Sequence, residues 1–458
     1  MKKNYLLGMA LIASLSFYSC DKEVVYVQDG NGVESVADGD QIITLQVENG
    51  GDGLATRAGR PLYSAEAKQS IDNVKLWICD NTTGKVVYVK EISDWNTDDV
   101  STVYTTGGHG RQTTIELKDA DKLATGTYKI YAVGYSSNSD YTLDAVTSVA
   151  EEGTFKENMV LPIKEGATNE IGEEIFAGQM ELTVETGKGF KKPIVLNRQV
   201  AGAFAYVKDI PYITDARYLK LVASAQNQSL VLGNFNSVDL TGNGSGNTGN
   251  VKYVVNGTNG KSDGNYAYEI CSIDLNQWFG ETLADTNNDN LVDATSWKNP
   301  YKPEGEPTVG TYPTFQKGSV FGGEFVIPFA HVAEKQTLTL QLTKADGTTV
   351  LRSWKVNLGS GDGQLKQTIT YWNSNWNSTI TDTYANTYSL VRNHLYGIGT
   401  RMNDQADPTN PGKDPDPEVP GETPDPDDPD KPESLNNKQE LTLRVNDNWE
   451  VIHGMELE

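Results

Sequence analysis

Few residues in this chain are of a type and spacing to do chemistry. Its 458 residues include four histidines and three cysteines. His109, His331, His394 and His453 lie in separate contexts, none of them an H-E-x-x-H pair, and no serine sits at the centre of G-x-S-x-G. With 62 Asp and Glu, close carboxylate pairs arise by chance and carry no information. Asp285, Asn287, Asp289 and Asp293 place oxygen side chains at positions 1, 3, 5 and 9 of a calcium-type loop. Position 6 is Asn290 where glycine is usual, and position 12 is Ser296 where a bidentate Glu is usual, so a plain Asn/Asp-rich turn competes with a metal site. Residues 244–249 fit G-x-G-x-x-G, but 251–255 read as strand, so no helix N-terminus follows to hold a pyrophosphate. That segment reads as a hairpin loop. Trp372 and Trp376 offer faces on which a sugar could stack, although aromatics in β proteins more often fill cores. No cofactor is implied, and the chain does not read as an enzyme.

Two positions invite covalent processing instead. Lys2 and Lys3 followed by the apolar run 5–15 form an export signal, too short to remain as a membrane span. It ends at Ser19-Cys20, and a small residue directly before a cysteine resembles a bacterial lipoprotein box, in which that cysteine is lipidated and becomes the new N-terminus. An ordinary secretory signal with a chance cysteine is the alternative. With Cys20 lipidated, Cys79 and Cys271 remain, each in a strand-like run. An oxidising compartment permits a disulfide, but separate buried thiols are the simpler expectation. The second position is Arg57, in a loop of small residues from Asn49 to Pro61 that is open to proteolysis. Arg60 is a poorer target because Pro61 follows it.

The elements that carry these residues are strands. Forty-four glycines with many Thr, Asn and Ser signal turns, and 22 Tyr, 8 Trp and 11 Phe supply cores. A net charge of −24 repels nucleic-acid phosphates and anionic headgroups, so neither is a partner. Ile43, Leu45 and Val47 alternate with Thr44 and Gln46, as one face of a strand. Strand signals recur at 74–78, 86–89, 113–117, 128–134 and 180–184. A second series runs through 200–207, 218–223, 252–255, 266–273, 322–327, 337–342, 351–356 and 388–398. No segment carries a sustained helical stripe. Two successive antiparallel sandwiches, joined near 194–200, account for this.

The composition then changes. Nine of the 18 prolines fall between Pro408 and Pro432, interleaved with Asp and Glu. Proline and like charge together predict an extended spacer with a reach of roughly 80 Å. Beyond it, Leu441, Leu443 and Val445 alternate, and Trp449, Val451, Met455 and Leu457 alternate again. An isolated pair of strands this short is marginal in water, so this terminus needs a sheet that belongs to something else.

In these landmarks the chain resembles the FimA-type fimbrillins of Bacteroidia, on the side of the stalk subunits of the short (minor) fimbria. The resemblance rests on residues 441–445, 449–453 and 455–458 with the Asp-Pro stretch before them, on Val391-Arg392-Asn393-His394-Leu395-Tyr396, on Asn197-Arg198-Gln199-Val200-Ala201, on Thr56-Arg57-Ala58 and on the lipobox. Asp21-Lys22-Glu23 resembles the charged export tag of surface lipoproteins in Bacteroides-type bacteria. The resemblance implies an all-β fold of two tandem transthyretin-like β-sandwich domains, an Asp/Pro-rich linker and C-terminal donor strands. The implied layout is a signal peptide (1–20), a propeptide with tether and displaced strand (21–57), an N-terminal sandwich (58–195), a C-terminal sandwich (196–404), the linker (405–434) and the donor strands (435–458). It further implies an outer-membrane lipoprotein precursor held by Cys20 and cut between Arg57 and Ala58 by an arginine-specific surface protease. The strand near 43–47 leaves, and C-terminal residues Leu441, Leu443, Val445, Trp449, Val451, Met455 and Leu457 of another subunit take its place. The implied partners are copies of the chain together with anchor and tip proteins of a surface fimbria that supports adhesion. A monomeric surface glycan-binding lipoprotein using Trp372 and Trp376 is the alternative.

Overall fold

The computed structural model describes residues 26–28, 34–36, 39–48, 71–104, 110–157, 159–165, 173–232, 253–258, 260–262, 268–302, 315–329, 338–358, 366–372, 379–385, 390, 392, 395–399, 432–436 and 440–446. The chain is nearly all β in these residues, with two short α-helices at Asp144–Thr147 and Leu275–Phe279.

Strand-forming runs of branched and aromatic residues build a first, ten-stranded sheet. Its main members are Gln41–Glu48 (β1), Asn73–Asp80 (β2), Val86–Ile92 (β3), Gly110–Leu117 (β4) and Gly126–Tyr135 (β5). Met159–Pro162 (β6) lies apart from it, and Phe176–Val184 (β7) and Phe190–Arg198 (β8) complete it. The order is β3-β2-β5-β7-β8-β1-β4, ending on the short strand Thr102–Tyr104. A hairpin of Tyr26–Gln28 and Glu34–Val36 touches β8 at Lys191. The sheet folds over on itself, because β7 and β8 pair only at Phe176–Arg198 and Ala177–Asn197 before diverging. Gly178 marks that corner: a Cβ there would lie 2.1 Å from the Val195 carbonyl oxygen. The period of two then turns Ile43, Leu45 and Val47 of β1 toward Val74, Leu76 and Ile78 of β2 and Ile130 of β5, in one core. The opposite faces of β2 and β5, with Trp77 and Tyr131, belong to a second core shared with the rest of the chain.

The second, nine-stranded sheet contains Ala201–Lys208 (β9), Ala216–Ala223 (β10), Tyr268–Asp274 (β12), Val320–Val326 (β13), Leu338–Lys344 (β14), Val350–Leu358 (β15), Leu395–Ile398 (β16) and Glu440–Asn446 (β17), with Ser229–Leu232 (β11) pairing outside it. The order is β12-β10-β14-β15-β17-β16-β9-β13. The Asp274 side chain accepts from the Asn276 N–H and so caps the short helix after β12.

The first sheet continues through Arg198, beyond the 195/196 division expected from sequence, and only Gln199 and Val200 separate β8 from β9. This link is buried and polar. Arg198 donates from Nε and Nη2 to Glu174 Oε1 at 2.8 and 2.6 Å, both side chains being almost fully buried. Gln199 Nε2 donates to the Asn197 carbonyl, and Gln199 Oε1 accepts from Arg392 at 3.2 Å. β11 pairs with β6, tying the two halves a second time. Cys79 and Cys271 are free and buried; burial pushes the Cys79 thiol up to about 12 and raises Cys271 as well.

Burial, with the negative field of Glu173 added, raises the Glu324 carboxyl on β13 to about 7. A carboxyl that holds its proton more tightly when folded contributes stability that is present below about pH 4.5 and lost as pH rises through about 7. Urea unfolding of the wild type should therefore show an excess loss of about 2 kcal/mol between these limits relative to Glu324→Gln. Identical slopes in the two proteins would refute the assignment.

Candidate strand-exchange site

β1 is held on both sides. Residues 41–47 pair in parallel with 190–196 of β8, and 41–48 pair antiparallel with 110–117 of β4. Parallel neighbours cannot be joined by a tight turn, so a strand inserted this way arrives from a distant part of the chain. The chain leaves β1 through residues 49–70, outside the described residues, which include Arg57 and Ala58. Cys20 also lies outside them.

The slot is apolar on its floor and polar at its entrance. Ile43, Leu45 and Val47 are fully buried against Ile115, Leu117, Ile194 and Leu196. Burial of three such side chains stabilises by roughly 5–9 kcal/mol. Gln41, nearly buried, makes a reciprocal pair with Leu123: its Nε2 donates to the Leu123 carbonyl at 3.0 Å, and its Oε1 accepts the Leu123 N–H at 2.7 Å. The side chain thus does what another strand's backbone would do, and fixes where β1 begins. Gln46 Nε2 donates to Gln112 Oε1 across the ladder at 2.9 Å. Arg111 anchors the start of β4 by donating from Nε to the Ser101 hydroxyl at 2.8 Å and from Nη2 to Asp98 at 2.9 Å. Alternation in the sequence signals the three buried residues. Gln41 carries no such signal, because its role depends on where Leu123 lies.

Three of the proposed donor residues lie among the described residues. Leu441, Leu443 and Val445 lie on β17, which pairs in parallel with 355–358 of β15 and antiparallel with 395–398 of β16. Leu441 is buried. The expectation that this stretch needs a sheet outside the chain is corrected: 440–446 has one within it, since an alternating run does not encode which sheet receives it. Trp449, Val451, Met455 and Leu457 lie outside the described residues. The Asp/Pro-rich segment also leaves and returns at neighbouring points. Ile398 pairs opposite Ala205 and Glu433 opposite Val207, on the same strand β9.

Of the remaining candidates, the 285–293 loop and Trp372 lie among the described residues. In the 285–293 loop the carboxylates are turned on the loop's own backbone: Asp285 accepts the Asp289 and Asn290 N–H groups, Asp289 accepts that of Leu291, and Asp293 accepts the Thr286 N–H and hydroxyl. Those bonds hold the Asp293 carboxyl below its ordinary range. The arrangement is a set of Asx turns, with Asn288 and Asn290 at positive φ. No group of three potential metal ligands occurs among the described residues. Trp372 ends the strand Lys366–Trp372, paired with Thr379–Ala385. Trp376, the 244–249 glycine run and all four histidines lie outside the described residues.

Leu45→Ala should cost about 2–5 kcal/mol through loss of contacts and the cavity it leaves. Gln41→Ala should cost about 1–3 kcal/mol because the Leu123 N–H and carbonyl lose their partners. Equilibrium urea denaturation of the uncleaved chain reads both, and a Gln41→Ala value near zero would show that the reciprocal pair does not hold β1.

No protein-family model matches the chain, and no curated protein matches it. Among solved structures it is similar to a fimbrial assembly protein from Parabacteroides distasonis, at 12% identity, 78% of this chain and 89% of that one, and a TM-score of 0.33. It is similar to the tip fimbrial protein Mfa3 from Porphyromonas gingivalis with C-terminal truncation, at 11% identity, 78% and 93% coverage and a TM-score of 0.33. The fimbrial anchor protein Mfa2 from the same organism follows at 12% identity, 77% and 99% coverage and a TM-score of 0.29. Likeness at this level assigns the chain to no family.

Proposed function

We propose that this chain is a structural stalk subunit of a cell-surface fimbria, built of two tandem transthyretin-like sandwiches and assembled by strand exchange. It is exported as an outer-membrane lipoprotein on Cys20. An arginine-specific surface protease cuts after Arg57, β1 departs with the lipid, and a strand from the C-terminal segment of the next subunit fills the vacated slot. Its partners are copies of itself, with anchor and tip proteins at the ends of the filament. Head-to-tail contacts of this kind do not close, so they grow a fibre.

One observation carries the reading. β1 is an interior strand with three fully buried apolar residues, yet the body reaches it only through the segment that contains Arg57. Cutting that segment separates β1 from the sandwich it completes and leaves two strand edges above an apolar floor. Such a slot accepts an extended segment by main-chain hydrogen bonds, with alternate side chains giving specificity.

The N-terminal sequence and intact mass of the protein from its native cell surface test this directly. The expected result is a chain beginning at Ala58, in material that runs as a high-mass ladder unless boiled. A lipidated chain beginning at Cys20 and running as one monomeric species would overturn it.

A further inference from the structure

The chain holds nine arginines against 29 lysines, and the two are not distributed alike. Arg111, Arg198, Arg217, Arg352, Arg392 and Arg444 lie among the described residues, and Arg57, Arg60 and Arg401 lie outside them. Five of the six are strand residues, and Arg392, in a turn, is 2% exposed.

Backbone ladders hold most of these positions. Arg111 lies opposite Val47 and Val103, Arg198 opposite Phe176, Arg352 opposite Leu342, and Arg444 opposite Gly397. Side chains add a second hold. Arg111 and Arg198 are buried in the bonds to Ser101 and Glu174, and Arg392 is buried in its bond to Gln199. Arg217 grips Asp274 through Nε on one carboxylate oxygen at 2.6 Å and Nη2 on the other at 2.7 Å. The Arg352 guanidinium lies 5.1 Å over the Trp354 ring.

Lysines occupy the opposite kind of place. Lys118, Lys122, Lys156, Lys188, Lys298 and Lys317 are exposed and lie outside strands and helices. Among the described residues no turn or loop carries an exposed arginine. The burial of arginine has an ordinary cause, since its planar fork suits ion pairs that lysine serves less well. That cause does not reach the turns, where a solvated position accepts either cation. What separates the two cations there is which protease reads them. A protease needs its target extended in its active site, so a bond inside a ladder or a buried turn is cut only after local unfolding, whereas turns are open in the folded state.

We infer that the folded body is closed to arginine-specific proteolysis at every described arginine, while its turns are open to a lysine-specific enzyme. The placement of arginine lets an arginine-specific protease process this chain without degrading it. That use in maturation rests on the cleavage reading above, and the protection itself does not.

The test digests the native full-length chain in parallel with an arginine-specific and a lysine-specific protease and reads the fragments by intact mass. The arginine enzyme should leave the bonds after all six arginines whole, any cuts falling at Arg57, Arg60 or Arg401. The lysine enzyme should cut the body at exposed lysines at least about a hundredfold faster than the arginine enzyme cuts after any of the six. The heat-unfolded chain should be cut after the six as well, which shows that the fold protects them. Lys156→Arg and Lys298→Arg, which keep the charge, should each add one arginine-specific cut to the native chain. Cleavage of the native wild type after any of the six at a rate near that of the lysine enzyme would overturn the inference. So would a body that resists both enzymes, or variants that add no cut. An uncut Arg57–Ala58 bond beside six whole bonds would overturn the maturation step and uphold this inference.

Discussion

A strand inside a sheet must have its backbone satisfied on both edges at once, and β1 meets that requirement with neighbours of opposite direction, β8 and β4. The rest of the first sandwich depends on it. Without β1, the edges of β8 and β4 face each other across a gap one strand wide. Leu196, Ile194, Ile115 and Leu117 then lose the side chains they pack against. Exposed edges of this kind template pairing with another chain. The slot is therefore either filled by β1 or filled by something that imitates it, and the reciprocal pair of Gln41 with Leu123 sets how closely the imitation must be aligned.

The junction between the two sheets sets how an event at the slot is felt elsewhere. With only Gln199 and Val200 between β8 and β9, the parallel neighbour of β1 runs almost directly into the second sheet. The Arg198–Glu174 pair and the bond from Arg392 to Gln199 are buried, so bending there would expose or unpair charge. β6 with β11 adds a second tie. Together these ties oppose bending between the two sheets.

Much of the architecture was legible in the sequence, for reasons of period. Alternation at Ile43, Leu45 and Val47 announced an interior-facing strand, and runs such as 74–78 announced strands. What alternation cannot encode is the address of a strand. Leu441, Leu443 and Val445 signalled a buried face, but their sheet within the chain became visible only when Ile398 and Glu433 were seen to sit at neighbouring points on β9. The proline-rich run between them reads as a spacer that carries a strand away, whereas its ends return to one place. Gln41 and Glu174 were illegible for a related reason. A polar residue at a buried position is explained only by its partner, and Leu123 and Arg198 are 82 and 24 residues distant. The 285–293 loop shows the same limit: its oxygen spacing suits an ion or a turn, and which backbone N–H groups its carboxylates accept is seen only in the structure.

Strand exchange also needs a reason why the uncut chain does not assemble. Covalently attached, β1 competes for its slot intramolecularly, at an effective concentration above that of any second copy in solution. On the proposed reading, a cut at Arg57 would abolish that advantage. β1 remains seated, but its dissociation is now a loss to solution that is not immediately reversed. An incoming segment paired along one free edge replaces it residue by residue, so the slot is never wholly empty. On the proposed reading, proteolysis is therefore the switch: the attached strand keeps its slot, and a detached one can be replaced.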